Sequence, residues 1–427
     1  MEWIEDANKD LSNQEEILSF DDYISLVHKN PKRECRSTSK YLLDMINYFG
    51  TSTQGSLKLF ETVDPECNPV YGQDRPEKDL IYTLNNFIEE GLNNKFILLV
   101  GPNGSAKSSI IKKMMKGSEF YSNTAEGSLY TFSWIFPIDN FVKGAMGLAS
   151  ANRGGELTSF AYLDDKDISA ILGSELRDHP LLLIPQKHRQ KILAEIFKQE
   201  PDYLDYLKKS YFFKGDLSKR NRLIYDALLK NYKGNHYEVL KHIRVEKFSL
   251  SHRYSTGAVT IEPQLHVDAQ IQQITLDKRL ASLPPSLQSL NLFSLRGEII
   301  MANRGILEYS DLLKRPLDTY KYLLMTMETG NINLQGILTE LDIFFIGTSN
   351  EIHLAGFKQH PDFNSFKGRF TFIKVPYLLD YKSEMKIYKD QVEGLKDKCF
   401  FGPHALEALC LFAVMSRLRA PQSKNYG

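Results

Sequence analysis

The sequence predicts an α/β protein: a parallel sheet with helices packed against it. Three observations carry this. The apolar stretch FILLV at 96–100 runs through a glycine-bearing turn into the helical pattern SSIIKKMMKG. Further apolar strands, GILEYSD, LDIFFIGTSN and FTFIKVP, are interspersed with helical segments such as PLDTYKYLLMTME; strands alternating with helices read as βαβ units. At 427 residues, 42% apolar and 25% charged, the chain is long enough for two or three domains and a large core.

In chain order, the opening MEWIEDANKDLSNQEE is acidic and lacks an apolar h-region, so it is not a secretory signal. SFDDYISLVHKNPKRECRSTSKYLLDMINYFG predicts a small helical cap over 19–50. Ser19 stands as helix cap ahead of Asp21 and Asp22, and Tyr41, Leu42, Met45 and Ile46 recur at helical spacing. TSTQGS is a loop, and YGQDRPEKDLIYTLNNFIEEGLNN predicts a helix ending near Gly91. The helix after the glycine turn is expected to stop at Gly117, and YTFSWIFP (130–137) to form a second core strand. Residues 138–245 are polar, Lys/Tyr-rich and mainly helical in pattern, as in QKHRQKILAEIFKQ and LIYDALLKNY. KFSLSHRYSTGAVTIEPQ alternates apolar and polar residues around Thr256-Gly257, a hairpin signal. PHALEALCLFAVMSRLRAP is a strong closing helix.

These readings divide the chain into a helical N-terminal cap (1–62), a first part of the core (63–137), a largely helical insertion (138–264), a second part of the core (265–378) and a partial helical lid (379–427).

Composition removes several classes of function. Lys+Arg and Asp+Glu are both 53, so no net charge draws the chain to nucleic acid or anionic membrane. The Lys and Tyr content of the insertion reads as a solvated helical surface, because no stacking motif of known RNA-binding modules accompanies it. The longest apolar runs are strand-sized and too short to span a bilayer. Cys35, Cys67, Cys399 and Cys410 show no C-x-x-C pair, which fits a reducing compartment and a cytoplasmic protein. His179 and His188, or His236 and His242, have no metal-ligand spacing.

KFILLVGPNGSAKSS carries the chemistry. A buried strand, an unobstructed turn and a helix N-terminus aim backbone N–H groups and the helix dipole at a polyphosphate. The usual pattern is Gly, four residues, then Gly-Lys-Ser/Thr. Gly101, Pro102, Asn103, Gly104, Ser105, Lys107, Ser108 and Ser109 follow it, but Ala106 stands where the last glycine belongs. A right-handed backbone just before the helix would tolerate the methyl group. Lys107 is expected on the β- and γ-phosphates of ATP, and the Ser108 hydroxyl on Mg²⁺.

Phosphoryl transfer also needs a carboxylate near the metal and the attacking water, a γ-phosphate sensor, and often an arginine in trans. ANRGILEYSDLLKRP places Glu308 and Asp311 at an apolar strand end. Ring-forming AAA+ ATPases have Asp-Glu at the places held here by Ser310 and Asp311. Ser310 supplies no carboxylate for the magnesium shell, so Asp311 is the candidate ligand and water activator, with Glu308 as compensation. FFIGTSNE offers Asn350 to orient the water. Arg369 in FKGRFTFIKVP stands where these ATPases hold the arginine that reaches a neighbour's nucleotide. Arg417 in CLFAVMSRL resembles the lid arginine that contacts the nucleotide of its own subunit.

Together SFDDYISLVHKNP, GPNGSAKSS, ANRGILEYSDLLKRP, TSNE, KVPYLLDYKSEMKIY and LFAVMSRL resemble the ATPase region of the PrkA family, called serine protein kinases, from about residue 19 to the end. The resemblance implies a P-loop NTPase fold of AAA+ type, Mg-ATP as ligand and a homo-oligomeric ring. Family members continue into a C-terminal kinase-like region, whereas this sequence stops at RAPQSKNYG, so a fragment or shortened form is expected.

Three functions stay open: an AAA+ ATPase working at subunit interfaces, a serine protein kinase, and a nucleotide-gated scaffold with little hydrolysis. A kinase of the eukaryotic type is excluded, since no H-R-D-x-x-x-x-N loop, D-F-G or G-x-G-x-x-G-x-V flap occurs. Ser310 and the short Asp311 keep the scaffold in view.

Overall fold

The computed structural model describes residues 16–138, 158–262, 270–273, 293–393 and 402–418, apart from positions 54, 65, 318, 319, 322, 335 and 336. The acidic opening, Cys399 and parts of the predicted insertion and lid lie outside the described residues.

The chain opens with β1 (Ile17–Ser19), α1 (Phe20–Lys29) and α2 (Thr38–Phe49). α3 (Asp74–Glu90), β2 (Phe96–Val100), α4 (Lys107–Ser122) and β3 (Leu129–Pro137) follow. The next region holds β4 (Ile168–Gly173), α5 (Gln186–Ile196), α6 (Pro201–Lys209), α7 (Lys219–Asn231) and β5 (Ile243–Phe248). β6 (Ala258–Ile261), β7 (Gln270–Gln273), β8 (Phe293–Arg296) and β9 (Gly305–Tyr309) come next. After α8 (Leu323–Thr329) the chain forms β10 (Asn331–Leu334), β11 (Ile337–Glu340), β12 (Ile343–Ser349), α9 (Glu351–Lys358) and β13 (Phe370–Lys374). It closes with α10 (Tyr381–Glu393) and α11 (Ala405–Arg417).

The expected local signals hold where chemistry is local. The Ser19 hydroxyl accepts the Asp22 N–H at the start of α1, and Gly91 ends α3 in the left-handed conformation. Gly117 does not end α4, which runs on to Ser122. A Cβ on Gly117 would lie 2.4 Å from Leu59 Cδ1 and 3.0 Å from Met45 Sδ. This glycine serves close packing against α2 and the Leu59 turn rather than a helix stop.

The core sheet has five parallel strands in the order β13-β2-β12-β9-β6. Every residue of β2 is buried, as a strand covered on both faces requires. Apolar side chains of α2, α3 and α4 cover one face, and the other packs on the segment 299–327 and on Phe357 and Phe366.

Two expectations fail here. YTFSWIFP is not the second core strand; β3 lies inside an antiparallel sheet ordered β1-β5-β3-β4. Nor is 247–264 a hairpin: β5 belongs to that antiparallel sheet, and β6 pairs parallel with β9 as the core edge. Only a tight turn is local, closed by reciprocal backbone bonds between Ser251 and Thr256, both 2.8 Å. A strand apolar on both faces carries no periodicity that says which sheet it joins.

Helices α5, α6 and α7 pack on the antiparallel sheet around Phe132, Trp134, Tyr206 and Phe212, and α1 contributes Phe20, Tyr23 and Val27 to the same core. A hydrogen-bonded seam joins this body to the strand starts of the parallel sheet. Arg177 donates to the Asn303 and Met301 carbonyls at 2.8 Å. Asn303 Oδ1 accepts the Asp342 N–H at 2.9 Å, and Asp342 Oδ2 accepts the Thr38 N–H at 2.8 Å. Residues 303 and 342 lead directly into β9 and β12, so the two central strands are anchored at their N-terminal ends. Among the described residues, no helix is long and apolar enough to cross a membrane.

Close packing at Gly117 is measurable. Gly117→Val is expected to lower unfolding free energy by about 1–3 kcal/mol in urea titrations, and Leu59→Ala in the same chain to recover part of that loss. Strictly additive losses would reject the contact.

Candidate nucleotide site

β2, an interior strand of the sheet, delivers the loop 101–106 to the carboxyl ends of the strands, where open α/β sheets bind ligands. The Gly101 N–H donates to the Ser349 carbonyl at 3.2 Å. A Cβ on Gly101 would fall 2.0 Å from the Val375 carbonyl oxygen, so no other residue fits between these strand ends. Asn103 and Gly104 are exposed, and Gly104 has φ 79°. The loop is an open turn against a helix N-terminus.

Ala106 departs from expectation. Its φ is 68° and ψ 16°, the left-handed region rather than the right-handed one. For a residue with a Cβ this costs about 1–2 kcal/mol. Its methyl group packs on the apolar cluster beneath α4, an offset glycine would lack. The strained turn still faces outward: the Ala106 carbonyl accepts the Ile110 N–H at 3.0 Å to start the helix, and Ser108 is exposed in the first turn.

Lys107 is buried at 7% exposure. Its ammonium donates to the carbonyls of Gly101 (3.0 Å) and Pro102 (2.7 Å), and Ser105 Oγ donates to the Pro102 carbonyl at 2.9 Å. Burial pushes the Lys107 pKa down, and the nearby carboxylates of Asp311 and Glu351 push it back up. Asp311 follows β9 with φ 45°. Its N–H donates to Thr348 Oγ1 at 3.0 Å, its carboxylate pairs with Lys314, and the preceding Ser310 N–H binds the Ile261 carbonyl. Asn350 is half-buried and directly follows Ser349, the residue that holds Gly101, at the start of α9. The structure therefore gathers Gly101 to Ser109, Asp311 and Asn350 at one end of the sheet.

Three other candidates lie elsewhere. Glu308 pairs in register with Ile346, three residues short of Ser349, or about 10 Å below the loop. Its buried carboxylate accepts the Thr260 hydroxyl at 2.8 Å, and burial raises its pKa. It does not make up for the missing carboxylate at Ser310, because its place on the strand, not its chemistry, keeps it from the loop. Arg369 sits at the opposite end of the sheet, where its carbonyl accepts the Phe96 N–H at 2.8 Å. Its guanidinium binds Glu328 at 2.6 Å and the Ser365 carbonyl at 2.7 Å. Five strand residues, about 17 Å, separate it from the loop of its own chain. Arg417 is held in the lid by Glu384.

A profile described as the PrkA AAA domain matches residues 157–425. The chain belongs to the PrkA AAA family. The match begins beyond the loop at 101–109, so the loop geometry is independent support for an AAA-type P-loop fold. The ATP-dependent protease PrkA of Bacillus subtilis (strain 168) is 22% identical over 413 residues, 95% of this chain and 56% of that protein. The serine/threonine kinase YeaG of Escherichia coli (strain K12) is 30% identical over 134 residues, 30% of this chain and 20% of that protein. The chain thus spans about half the length of the Bacillus relative. A solved structure of NtrX from Brucella abortus overlaps 30% of this chain and 35% of its own, at 16% identity and a TM-score of 0.20; so partial an overlap bears on nothing here.

Sequence reasoning passed over one buried polar residue beside the loop. Gln73 donates to the Ser105 carbonyl (3.4 Å) and the Pro376 carbonyl (3.0 Å), bridging loop and sheet end. Its Oε1 is buried with no protein donor in reach, an acceptor suited to an exocyclic amine. Gly72 beside it has φ 71° and room only for hydrogen, with Leu378 Cδ1 2.3 Å from a hypothetical Cβ. The Gly-Gln pair ahead of an amphipathic helix was the available signal. Glu351, in the quoted TSNE, was likewise passed over.

Two outcomes test this geometry. Ala106→Gly is expected to stabilise the protein by about 0.5–1 kcal/mol, read as a higher Tm, as relief of left-handed strain exceeds the added unfolded-state entropy. A lower Tm would show that methyl packing dominates. Glu308→Gln keeps an acceptor for Thr260 and should leave nucleotide turnover within about threefold of the parent; a far larger loss would return Glu308 to the reacting centre.

Proposed function

We propose that this chain is an ATP-binding AAA+ module that hydrolyses Mg-ATP at interfaces between subunits of a ring. The observation that supports it most is the split of the charged groups. Lys107, Ser108, Asp311 and Asn350 share the loop end of the sheet, while Arg369 lies at the other end. An arginine some 17 Å from its own loop serves phosphoryl transfer only by reaching another subunit's nucleotide.

The residue roles follow from placement. Backbone N–H groups of 103–108 and the Lys107 ammonium hold the β- and γ-phosphates. Ser108 and Asp311 are the protein groups suited to Mg²⁺, a hard cation that prefers oxygen ligands and keeps several waters. When bound, it would neutralise phosphate charge. Asp311 and Asn350 orient the attacking water, and the Gln73 acceptor takes the base amine.

A second reading draws on one feature. The Asp311 carboxylate is paired with Lys314, and Ser310 adds no carboxylate, which favours a module that holds ATP and turns it over slowly. Serine kinase activity rests on the family resemblance and on the likeness to the Escherichia kinase; transfer of γ-label from ATP to a protein serine, lost in Lys107→Ala, is its test.

Lys107→Ala is expected to weaken ATP binding by about 10–100-fold, the loss of a charge-assisted contact. Arg369→Ala should leave binding intact and lower turnover by about 10³. Mixing Arg369→Ala with Lys107→Ala subunits should restore part of the phosphate release, since one supplies the loop and the other the arginine. No recovery, together with turnover per subunit independent of protein concentration, would reject the shared site.

A further inference from the structure

Asp311 and the phosphate loop are held by neighbouring residues of β12. Thr348 Oγ1 accepts the Asp311 N–H at 3.0 Å, and the Ser349 carbonyl accepts the Gly101 N–H at 3.2 Å. The turn beyond Asp311 is closed twice over. The Asp311 carbonyl accepts the Lys314 N–H at 2.9 Å, and Asp311 Oδ2 accepts the Lys314 ammonium. Leu312, buried in the apolar cluster on that face of the sheet, pins the turn in place.

Two ammonium groups therefore stand at this end of the sheet, in different settings. Lys107 is buried and committed to the Gly101 and Pro102 carbonyls. Burial is the main cause lowering its pKa, and the Lys314 ammonium adds to that effect, so the two groups lie within electrostatic reach. Lys314 is far more open, its side chain 42% exposed against 28% for Asp311. An ion pair so exposed is weak and parts into solvent without stranding a buried charge.

Asp311 is also the carboxylate best suited to a divalent cation, and Ser310 supplies no second one to share the load. An ammonium and a dication on a single carboxylate repel each other. Lys314 and the metal are thus rivals for one group.

We infer that Lys314 sets the metal demand of the site: its ammonium is the resident counter-ion of Asp311 and must withdraw before that carboxylate serves Mg²⁺. This rests on the nucleotide reading above and names a competitor within it. Binding of Mg-ATP requires the pair to part, whereas metal-free ATP leaves it intact.

The test is calorimetric titration of the whole chain with ATPγS, in excess Mg²⁺ and in EDTA. Lys314→Met removes the ammonium and keeps the apolar stem. It is expected to tighten Mg-ATPγS binding about threefold to fivefold, the span of an exposed ion pair, with metal-free affinity equal or weaker. A lysine that merely attracts phosphate predicts the opposite sign, since its loss weakens binding of a polyanion. Unchanged or weaker Mg-ATPγS binding overturns the inference, and so does equal tightening in EDTA. Lys374, exposed at the same end of the sheet and in register with Val100, is the control. Tightening by Lys374→Met as well would assign the effect to net charge and overturn the inference. In an Asp311→Asn background, Lys314→Met should add nothing; tightening that persists there overturns it too. If Lys314→Met does not fold, Lys314→Gln removes the same charge and is read in the same way. Lys107→Ala separates the two levels: if it binds ATPγS as the parent does, the nucleotide site itself is wrong. If it loses binding while Lys314→Met tightens nothing, only the role of Lys314 falls.

Discussion

The phosphate loop is suspended between two strand ends. Gly101 bonds to Ser349 at the end of β12 and has no room for a side chain against Val375, just beyond β13. That steric constraint turns a glycine-bearing turn into a site. It sets where the α4 N-terminus emerges and where Lys107 can reach, and it puts Asn350, the residue after Ser349, beside the loop. A substitution that pushed the strands apart there would move every group at once, because each is attached to a strand end rather than to a free loop.

The second constraint lies at the other end of the same strands. Asn303 and Asp342 tie the starts of β9 and β12 to Arg177 and Thr38, so the strands that carry Asp311 and Asn350 are fixed to the cap and to the insertion. These buried polar contacts cross between bodies with separate apolar cores. Geometry at the loop end therefore depends on both bodies, although the residues gathered there all follow strands of the parallel sheet. The lid joins through Gly72 and Gln73, which touch both the lid and the loop.

Backbone strain is present at the site, as it is at Arg177, Lys233, Ser255, Arg304 and His404 elsewhere. Ala106 and Asp311 both carry positive φ, and both flank the expected position of phosphate and metal. Such backbone persists only where its surroundings over-determine it. For Ala106 these are the packed methyl group and the first hydrogen bond of α4; for Asp311, the bond from its N–H to Thr348.

Much was legible from residues alone. FILLV, GILEY, IFFIGTS and FTFIK read as core strands because buried strands are short apolar runs, and Ser19 and Gly91 read as helix ends because capping is local chemistry. The loop was legible because its residue types and spacing answer directly to phosphate. Sheet membership was not: β3 is apolar on both faces and suits either sheet, and β6 looked like a hairpin arm until β9 claimed it. Gly117 read as a stop because a glycine's packing partner, here Leu59, is distant in sequence. Glu308 looked catalytic by proximity in sequence, yet strand register placed it about 10 Å too low. The sequence by itself determined the strand–loop–helix unit and the identity of its charged groups, since these depend on neighbours in the chain. Only the tertiary structure decided which strands flank that unit, that Arg369 faces away from it, and that Arg417 is held by Glu384, because those relations are set by contacts between segments far apart.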